Sequence, residues 1–177
     1  MAETAEIEPA PSSIADGVER QLDPEYIPLQ REIGWIVTGV ISAGGLLGAL
    51  ILWVSGQLPG WGNALLLPAW LAATGGIGWL CYALPPVEFR HIFYKLDDQG
   101  IEIRAGIFWR SVTSVPRSRV QHIDVSQGPM ERSHDLSRLV IYTAGTDHSR
   151  VELPGLRRAI AFELRNHLLP RGTDDAI

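Results

Sequence analysis

Residues 114–133, SVPRSRVQHIDVSQGPMERS, contain the side chains best suited to binding an anion or a partner protein. Three arginines lie in this stretch: Arg117, Arg119 and Arg132. Arginine is favoured at such surfaces because its planar guanidinium forms paired hydrogen bonds and stacks on flat groups. The same arginines could instead be solvated, or paired with Asp124 and Glu131. They are the candidate interaction surface of this chain.

Catalytic chemistry is poorly represented in the sequence. His122 and Asp124 alternate along a predicted strand, so they share a face and could pair. No serine or cysteine lies in a recognisable nucleophile motif, and the histidines show no metal-ligand spacing. The His-Asp and Asp-His pairs at 134–135 and 147–148 are predicted to be polar loop tips. We therefore expect neither an enzyme nor a site for a metal or cofactor.

The charges of the 177-residue chain are very unevenly placed. Residues 1–32 carry eight acidic residues and two arginines, whereas residues 33–87 carry no charge at all. Residues 88–177 carry basic and acidic groups in nearly equal numbers. A soluble domain needs charge over its surface, so the long uncharged run indicates membrane segments. The single cysteine, Cys81, excludes an internal disulfide.

Two apolar segments, residues 33–54 and 64–84, are each long enough to cross a bilayer, which takes about 20 residues. The turn-rich sequence SGQLPGWGN at residues 55–63 separates them. Pro85-Pro86 is predicted to end the second helix, because the residue before a proline is disfavoured in helical geometry. The sequence therefore predicts a helical membrane hairpin with a short connecting loop.

Basic residues outside the two spans indicate the orientation of the hairpin. Arg31 precedes the first span, Arg90 and Lys95 follow the second, and the connecting loop is uncharged. Membrane proteins carry an excess of basic residues on the cytoplasmic side. We therefore expect a multi-pass protein of the cell membrane, with both ends of the chain in the cytoplasm and the loop outside.

Small residues recur along both predicted spans. Gly44 and Gly48 are four residues apart in the first span, and Ala72 and Gly76 are four apart in the second. Such spacing lets two helix backbones approach closely in lipid. This seam could pack the hairpin against itself, or it could contact the helices of another chain. No ionisable residue lies inside either span, which argues against a transport path.

The two ends of the chain are predicted to lie outside any folded domain. Residues 1–22 are rich in Ala, Glu, Pro and Ser and offer too little apolar surface to offset the entropy of ordering. Residues 1–32 are therefore predicted to form a disordered acidic tail followed by a juxtamembrane segment. Residues 171–177 are predicted to be a second, shorter tail.

Residues 88–170 show the pattern of a small, mainly-β domain. Apolar and polar residues alternate between turn signals such as DDQG, which predicts six or seven short antiparallel strands in a sandwich or barrel. A helix follows, and its apolar stripe would cap an open end of the barrel. The stripe comprises Leu156, Ile160, Leu164 and Leu168.

The sequence YKLDDQGIEIRAGIFWRSVTSVPRSRVQHIDVSQGPMER, followed by LVIYTAG and VELPGL, resembles the bacterial pleckstrin-homology (PH)-like domain of the YdbS-like membrane proteins. The preceding hairpin and the sequence LDPEYIPL fit the same layout, so the resemblance covers roughly residues 21–170. It implies a PH-type fold, a seven-stranded bent barrel closed by the C-terminal helix. The loop at residues 132–136 is more polar than the family pattern, which usually continues Arg–apolar–apolar–Gly–Leu after the QGP turn.

The resemblance implies a protein of the bacterial inner membrane that acts by binding. Members often occur beside larger relatives with several PH-like domains, so we expect a homo- or hetero-oligomer with such proteins. The alternative is binding of anionic lipid or headgroups by the barrel. Lys95 and Arg104 flank the first hairpin of the domain, but its tip is Asp97-Asp98, which would repel phosphates. A domain charge near zero disfavours nucleic acid.

Overall fold

The computed structural model describes residues 14–56, 59–107, 109–144 and 150–169. The predicted tail at residues 171–177 lies outside them. The described elements are, in chain order, β1 (Glu19–Gln21), α1 (Tyr26–Ser55), α2 (Gly60–Phe89), β2 (Phe93–Asp97), β3 (Gly100–Ala105), β4 (Ser111–Pro116), a 3-10 helix (Arg117–Arg119), β5 (Val120–Ser126), α3 (Pro129–Ser133), β6 (Leu136–Thr143), β7 (Arg150–Arg157) and α4 (Arg158–Leu168).

Helices α1 and α2 form an antiparallel hairpin of two 30-residue helices. At a rise of about 1.5 Å per residue each is about 45 Å long, which is enough to cross a bilayer. The most apolar window of each helix is only 6% buried by the protein itself. Across the hairpin, the Trp70 indole Nε1 donates a hydrogen bond to the Ser42 carbonyl oxygen at 3.0 Å. Most apolar side chains of the hairpin therefore face outward.

Both helices extend beyond the predicted spans of residues 33–54 and 64–84 towards the folded domain. The first turns of α1 are held there because Tyr26 and Leu29 are buried in the core of the domain. The hairpin is therefore continuous with the domain, and no flexible linker lies between α1 and the core.

Helix α2 continues through Pro85 and Pro86 to Phe89, so the prediction that this proline pair ends the helix is wrong. A proline inside a helix leaves the carbonyl four residues earlier without its N–H donor. For Pro86 that carbonyl belongs to Tyr82, and Arg31 Nε of α1 donates a hydrogen bond to it at 3.2 Å. The arginine replaces the missing backbone donor, and helical geometry is retained up to the domain.

The segment before the hairpin contributes the first strand of the domain. β1 pairs antiparallel with β2, with Glu19 opposite Lys95. Leu22, which follows β1, is buried in the core at 3% exposure. The prediction of a disordered tail is therefore wrong for residues 14–22, because pairing of β1 with the distant strand β2 orders this segment. Residues 1–13 lie outside the described residues. The helical hairpin is an insertion between two neighbouring strands of one sheet.

The strands form two antiparallel sheets, in the orders β1-β2-β3-β4 and β5-β6-β7. Between the described strands no backbone pairing joins the two sheets, so the expected closed barrel is corrected to two packed sheets. The chain leaves β4 through Pro116, which has no N–H to donate, and turns through the 3-10 helix before β5 begins. A gap is left between the outer edge of β4 and the β6–β7 pair.

The core lies between the inner faces of the two sheets and under α4. Leu96 and Ile101 of the first sheet and Leu139 of the second are at most 1% exposed. Leu164 and Leu168 of α4 are fully buried against the same cluster. The prediction of a small β domain capped by a C-terminal helix is confirmed.

The two ends of the first sheet have different surroundings. We call the end where β1 leads into α1, and α2 into β2, the hairpin end. The described residues between β3 and β4, which are Gly106, Ile107, Trp109 and Arg110, lie at the hairpin end because Phe93, the first residue of β2, pairs with Arg104. The 3-10 helix lies at the opposite, far end, where the Arg117 N–H donates a hydrogen bond to the Gln99 carbonyl at 2.8 Å.

Candidate functional site

The three candidate arginines do not form one surface. Arg117 and Arg119 lie in the 3-10 helix at the far end, whereas Arg132 lies in α3, which contacts α1. Strand β5 runs between the two places, and its seven residues span about 20 Å at about 3.3 Å per residue. The structure therefore divides the predicted interaction surface into two separate parts.

The acidic residues that could have paired with these arginines have other partners. Asp124 Oδ1 lies 2.6 Å from His122 Nε2, as the alternation of the two residues predicted. Glu131 accepts hydrogen bonds from the Gly128 N–H at 2.7 Å and from Arg138 Nη2 at 3.1 Å. Of the two alternatives to a contact surface, solvation or pairing with Asp124 and Glu131, the pairing is therefore contradicted.

The His122–Asp124 pair lies on open surface, with 66% and 51% of the two side chains exposed. Over the described ranges, no group of three or more His, Cys, Asp or Glu side chains could hold a metal ion. The pair therefore has the setting of an exposed surface ion pair.

Arg119 lies beside an open groove of about 320 Å³ between β4 and the β6–β7 pair. Ala144 and Val151 line the wall opposite β4. Within the described parts of the chain, the Arg119 side chain forms no hydrogen bond or ion pair, whereas Arg117 Nη2 donates to the Leu169 carbonyl at 3.3 Å. Arg119 is thus the arginine that is available to a partner in the groove.

The outer edge of β4 carries backbone groups that pair with no described strand. Residues opposite each other in an antiparallel ladder alternate between hydrogen-bonded and non-bonded pairs. The Arg117 N–H donates to the Gln99 carbonyl, so position 117 is a hydrogen-bonded position of the ladder. By the alternation, the residues of β4 that are hydrogen-bonded to β3 are the odd-numbered ones. The N–H groups of Val112 and Ser114 therefore point to the open edge, beside the groove.

The first hairpin of the domain lacks the features of a phosphate clamp. Arg104 is held by the carboxylates of Glu19 and Glu102, and these two ion pairs raise its pKa. At the tip, Asp97 Oδ1 accepts hydrogen bonds from the N–H groups of Gln99 and Gly100, both at 2.9 Å. The Asp97 carboxylate at the tip therefore stabilises the turn, and the charge of Arg104 is already balanced by two carboxylates.

A polar cluster joins α1 to the second sheet, and the sequence did not reveal it. Arg157 Nε at the end of β7 lies 2.6 Å from Asp23 Oδ2, just before α1. His134 lies between the carboxylates of Glu25, just before α1, and Glu32 of α1, with Nδ1 3.2 Å from Glu25 Oε2 and Nε2 3.3 Å from Glu32 Oε2. These contacts fasten the hairpin to the domain.

His134 is therefore not the loop tip that was predicted. Only 13% of its side chain is exposed. Hydrogen bonds to Glu25 and Glu32 raise the pKa of the His134 imidazole, with that to Glu25 the larger cause. Both ring nitrogens face carboxylates, and only the protonated ring can donate a hydrogen bond from both nitrogens. Glu25 and Glu32 are seven residues apart and so share a face of α1, which was the only signal in the sequence. The Asp-His pair at 147–148 lies outside the described residues.

The predicted small-residue seam faces away from the hairpin. A Cβ atom added at Gly44, Gly48 or Gly76 would meet nothing within 4 Å, and Ala72 is exposed. The prediction that these residues pack the hairpin against itself is therefore wrong, and contact with another chain stays a prediction. Every side of these helices is apolar, so the sequence could not distinguish their faces.

Other glycines form the contact between α1 and α2. A Cβ at Gly34 would lie 2.7 Å from Cys81 Cβ, and one at Gly45 would lie 3.3 Å from Trp70 Cδ1. Gly78 is buried and lies against Trp35. Close approach of the two backbones thus depends on glycines that face the partner helix.

Comparisons with known proteins agree with this architecture. The family model described as Bacterial PH domain matches residues 32–172. The chain is 35% identical over 118 residues to the UPF0699 transmembrane protein YdbS of Bacillus subtilis (strain 168), a match that covers 62% of this chain and 72% of that relative. No solved structure gives a significant match. With its two long apolar helices, the chain is a YdbS-like membrane protein and belongs to the bacterial PH domain family.

Proposed function

We propose that the protein is a non-catalytic assembly module whose PH-like domain binds another membrane-anchored protein with a PH-like domain. The observation that carries this proposal is the open edge of β4 beside the groove. An exposed strand edge can accept an extended segment of a partner as an additional strand, through main-chain hydrogen bonds. Val112 and Ser114 supply the outward N–H donors for such a strand.

A partner in the same bilayer suits this site for two reasons. Domains held on similar hairpins meet at a similar height above the membrane, and confinement of both chains raises their effective concentration. Arg119 would bind an acidic side chain of the partner through charge-assisted hydrogen bonds. The outward small residues of the hairpin, including Gly44 and Gly48, would let a helix of the partner approach closely.

The domain is proposed to lie on the cytoplasmic face of the membrane. Arg31 and Arg90 flank the spans on the domain side, and the loop at residues 55–63 has no charge. This orientation is tested by cysteine accessibility in intact cells, in a Cys81→Ala background. A cysteine at Gly60 is expected to react with a membrane-impermeant reagent, and a cysteine at Asp98 is expected to be protected. Labelling of position 98 from outside would contradict the orientation.

The binding site is tested with substitutions at the outer edge of β4 and at Arg119. Ser114→Pro removes an outward N–H without removing a ladder hydrogen bond, whereas Ser114→Ala keeps that N–H and is the matched control. Full-length protein is cross-linked in native membranes and the cross-linked products are identified. We expect a product that contains a second PH-like membrane protein, reduced about tenfold or more by Ser114→Pro and by Arg119→Glu, and retained by Ser114→Ala. Equal yields in all four proteins would contradict the proposal.

A further inference from the structure

The loop between β3 and β4 exposes the largest apolar side chain outside the membrane hairpin. Trp109 is 90% exposed, and Val112 nearby in β4 is 62% exposed. Burial of a tryptophan is normally favourable, and a large apolar side chain held in water marks a contact surface. The loop lies at the hairpin end, away from the acidic β2–β3 turn at the far end.

The backbone of this loop turns tightly beside Trp109. Gly106 has a φ of +123°, which only glycine adopts readily. A Cβ at this position would lie 1.8 Å from the Trp109 carbonyl oxygen, so the chain closes tightly on itself here. The tight turn beside Trp109 therefore requires glycine at position 106.

The register of the sheet places the loop on the side of the domain that faces the end of α2. The apolar part of α2 ends at Leu84, and the five helical residues up to Phe89 rise about 7 Å. The headgroup layer on each side of a bilayer is about 5–7 Å thick. Strand β2 begins at Phe93, opposite Arg104, and the loop starts after Ala105 and projects back towards the end of α2. The loop therefore lies on the side of the domain to which α2 connects, within reach of a headgroup layer that begins near Leu84.

Two exposed arginines belong to the same end of the domain as Trp109: Arg110 follows it in the loop, and Arg90 follows α2. Arg90 and Arg110 are exposed, and neither forms an ion pair with any described residue. Arg110 also lines an open cavity of about 300 Å³ on the outer face of the sheet, together with His91 and Phe93. The one carboxylate in that cavity, Glu19, is already paired with Arg104. Among the groups that line this cavity, the charge without a partner is therefore the positive charge of Arg110.

We propose that Trp109, Arg110 and Arg90 form a membrane contact that holds the PH-like domain down on the bilayer. The indole lies among the headgroups, where amphipathic rings are favoured, and the two arginines bind the phosphates of anionic lipids. This contact goes beyond the proposed function, because it lies at the hairpin end and leaves the groove and Arg119 free. It fixes the tilt of the domain and therefore the height at which the edge of β4 is presented.

The contact is tested with full-length protein in vesicles that contain no other protein. A fluorophore is attached to a cysteine at position 109, in a Cys81→Ala background, and quenching by a lipid spin-labelled at its headgroup is measured. The matched control carries the fluorophore at Asp98, an exposed position in the turn at the far end. We expect quenching at position 109 to be at least about threefold stronger than at position 98 in phosphatidylglycerol vesicles.

The charge requirement is tested in the same vesicles with the double substitution Arg90→Glu and Arg110→Glu. We expect it to reduce quenching at position 109 at least about twofold in phosphatidylglycerol and to have little effect in phosphatidylcholine alone, because only the former attracts the arginines. Equal quenching at positions 109 and 98 would overturn the proposal and favour a protein as the binding partner of Trp109. If quenching at position 109 changed neither with the charge reversal nor between phosphatidylglycerol and phosphatidylcholine, the role of the arginines would be overturned.

Discussion

Arg31 of α1 holds Tyr82 of α2 through two contacts. Its Nε donates a hydrogen bond to the Tyr82 carbonyl at 3.2 Å, and its guanidinium carbon lies 4.0 Å from the centroid of the Tyr82 ring. The carbonyl is the one that Pro86 leaves without a backbone donor. The Arg31 side chain therefore joins the two helices. It also supplies a hydrogen-bond donor to α2 at the carbonyl that lacks a backbone donor.

This relationship predicts a specific coupling between Arg31 and Pro86. Arg31→Ala should lower the free energy of unfolding by about 1–2 kcal/mol, because a charged hydrogen bond and a cation–π contact are lost. Pro86→Ala returns an N–H to the Tyr82 carbonyl, so Arg31→Ala should cost about 1 kcal/mol less in that background. Unfolding of the full-length protein in mild detergent measures all four corners of the cycle. If the losses of unfolding free energy from Arg31→Ala and Pro86→Ala were strictly additive, Arg31 would not be replacing the backbone donor that Pro86 lacks.

His134 predicts that the attachment of the hairpin to the domain depends on pH. Its folded-state pKa is raised from the ordinary 6.5 by Glu25 and Glu32, so the protonated ring stabilises the folded state. That contribution is fully present below about pH 6.5 and is lost as the pH rises through the raised pKa. The difference in melting temperature between the native protein and His134→Gln should therefore be largest in mild acid and shrink in alkali. Parallel melting curves across that range would exclude this role for His134.

The strand before the hairpin predicts that residues 88–177 alone do not form a complete domain. Leu22 is 3% exposed and lies in the core with residues of both sheets. Leu22→Ala should destabilise the full-length protein by about 2–4 kcal/mol, because it removes buried side-chain volume. Val18→Ala, four residues earlier and at an exposed position, should change the stability by less than about 0.5 kcal/mol. Similar unfolding midpoints for the two variants would show that this segment is not part of the core.

Neighbouring glycines on α1 separate packing within the hairpin from contact between chains. Gly45→Leu should force α1 away from Trp70 and lower the melting temperature in detergent, because the added side chain overlaps the indole. Gly44→Leu meets nothing within this chain, so it should leave the melting temperature nearly unchanged and reduce the size of any oligomer. Size-exclusion chromatography and thermal unfolding distinguish the two effects. An unchanged oligomer in Gly44→Leu would remove this glycine from the proposed contact.

Much of the architecture could be predicted because it is encoded locally. An uncharged stretch over residues 33–87 has few alternatives to a membrane hairpin, and period-two alternation marks strands wherever one face is buried. The errors concern pairings between distant residues. β1 is only three residues long and gains its order from β2, on the other side of the hairpin. His134 gains its role from Glu25, 109 residues earlier, and local patterns carry no such information.

The arginines show the same limit at the candidate site. Of the three, Arg119 has no side-chain partner among the described residues, whereas Arg117 donates to the Leu169 carbonyl. Their proximity in the sequence did not make them neighbours, because β5 separates Arg119 from Arg132. The open edge of β4 was also missed, since the family resemblance implied a closed barrel. Whether two sheets close depends on the pairing of their edge strands, and the pattern of each strand by itself does not determine it.

The proposed assembly is tested most directly by a photoreactive residue in the groove. Ala144 is exposed and lines the wall opposite β4, so its replacement should leave the fold intact. On illumination of native membranes that contain the full-length protein, we predict a covalent adduct with a second PH-like membrane protein at position 144, which Ser114→Pro abolishes. The control is the same residue at Glu163, on the exposed face of α4, where no such adduct should form. Adducts that are absent at position 144, or equal at both positions and insensitive to Ser114→Pro, would contradict the account.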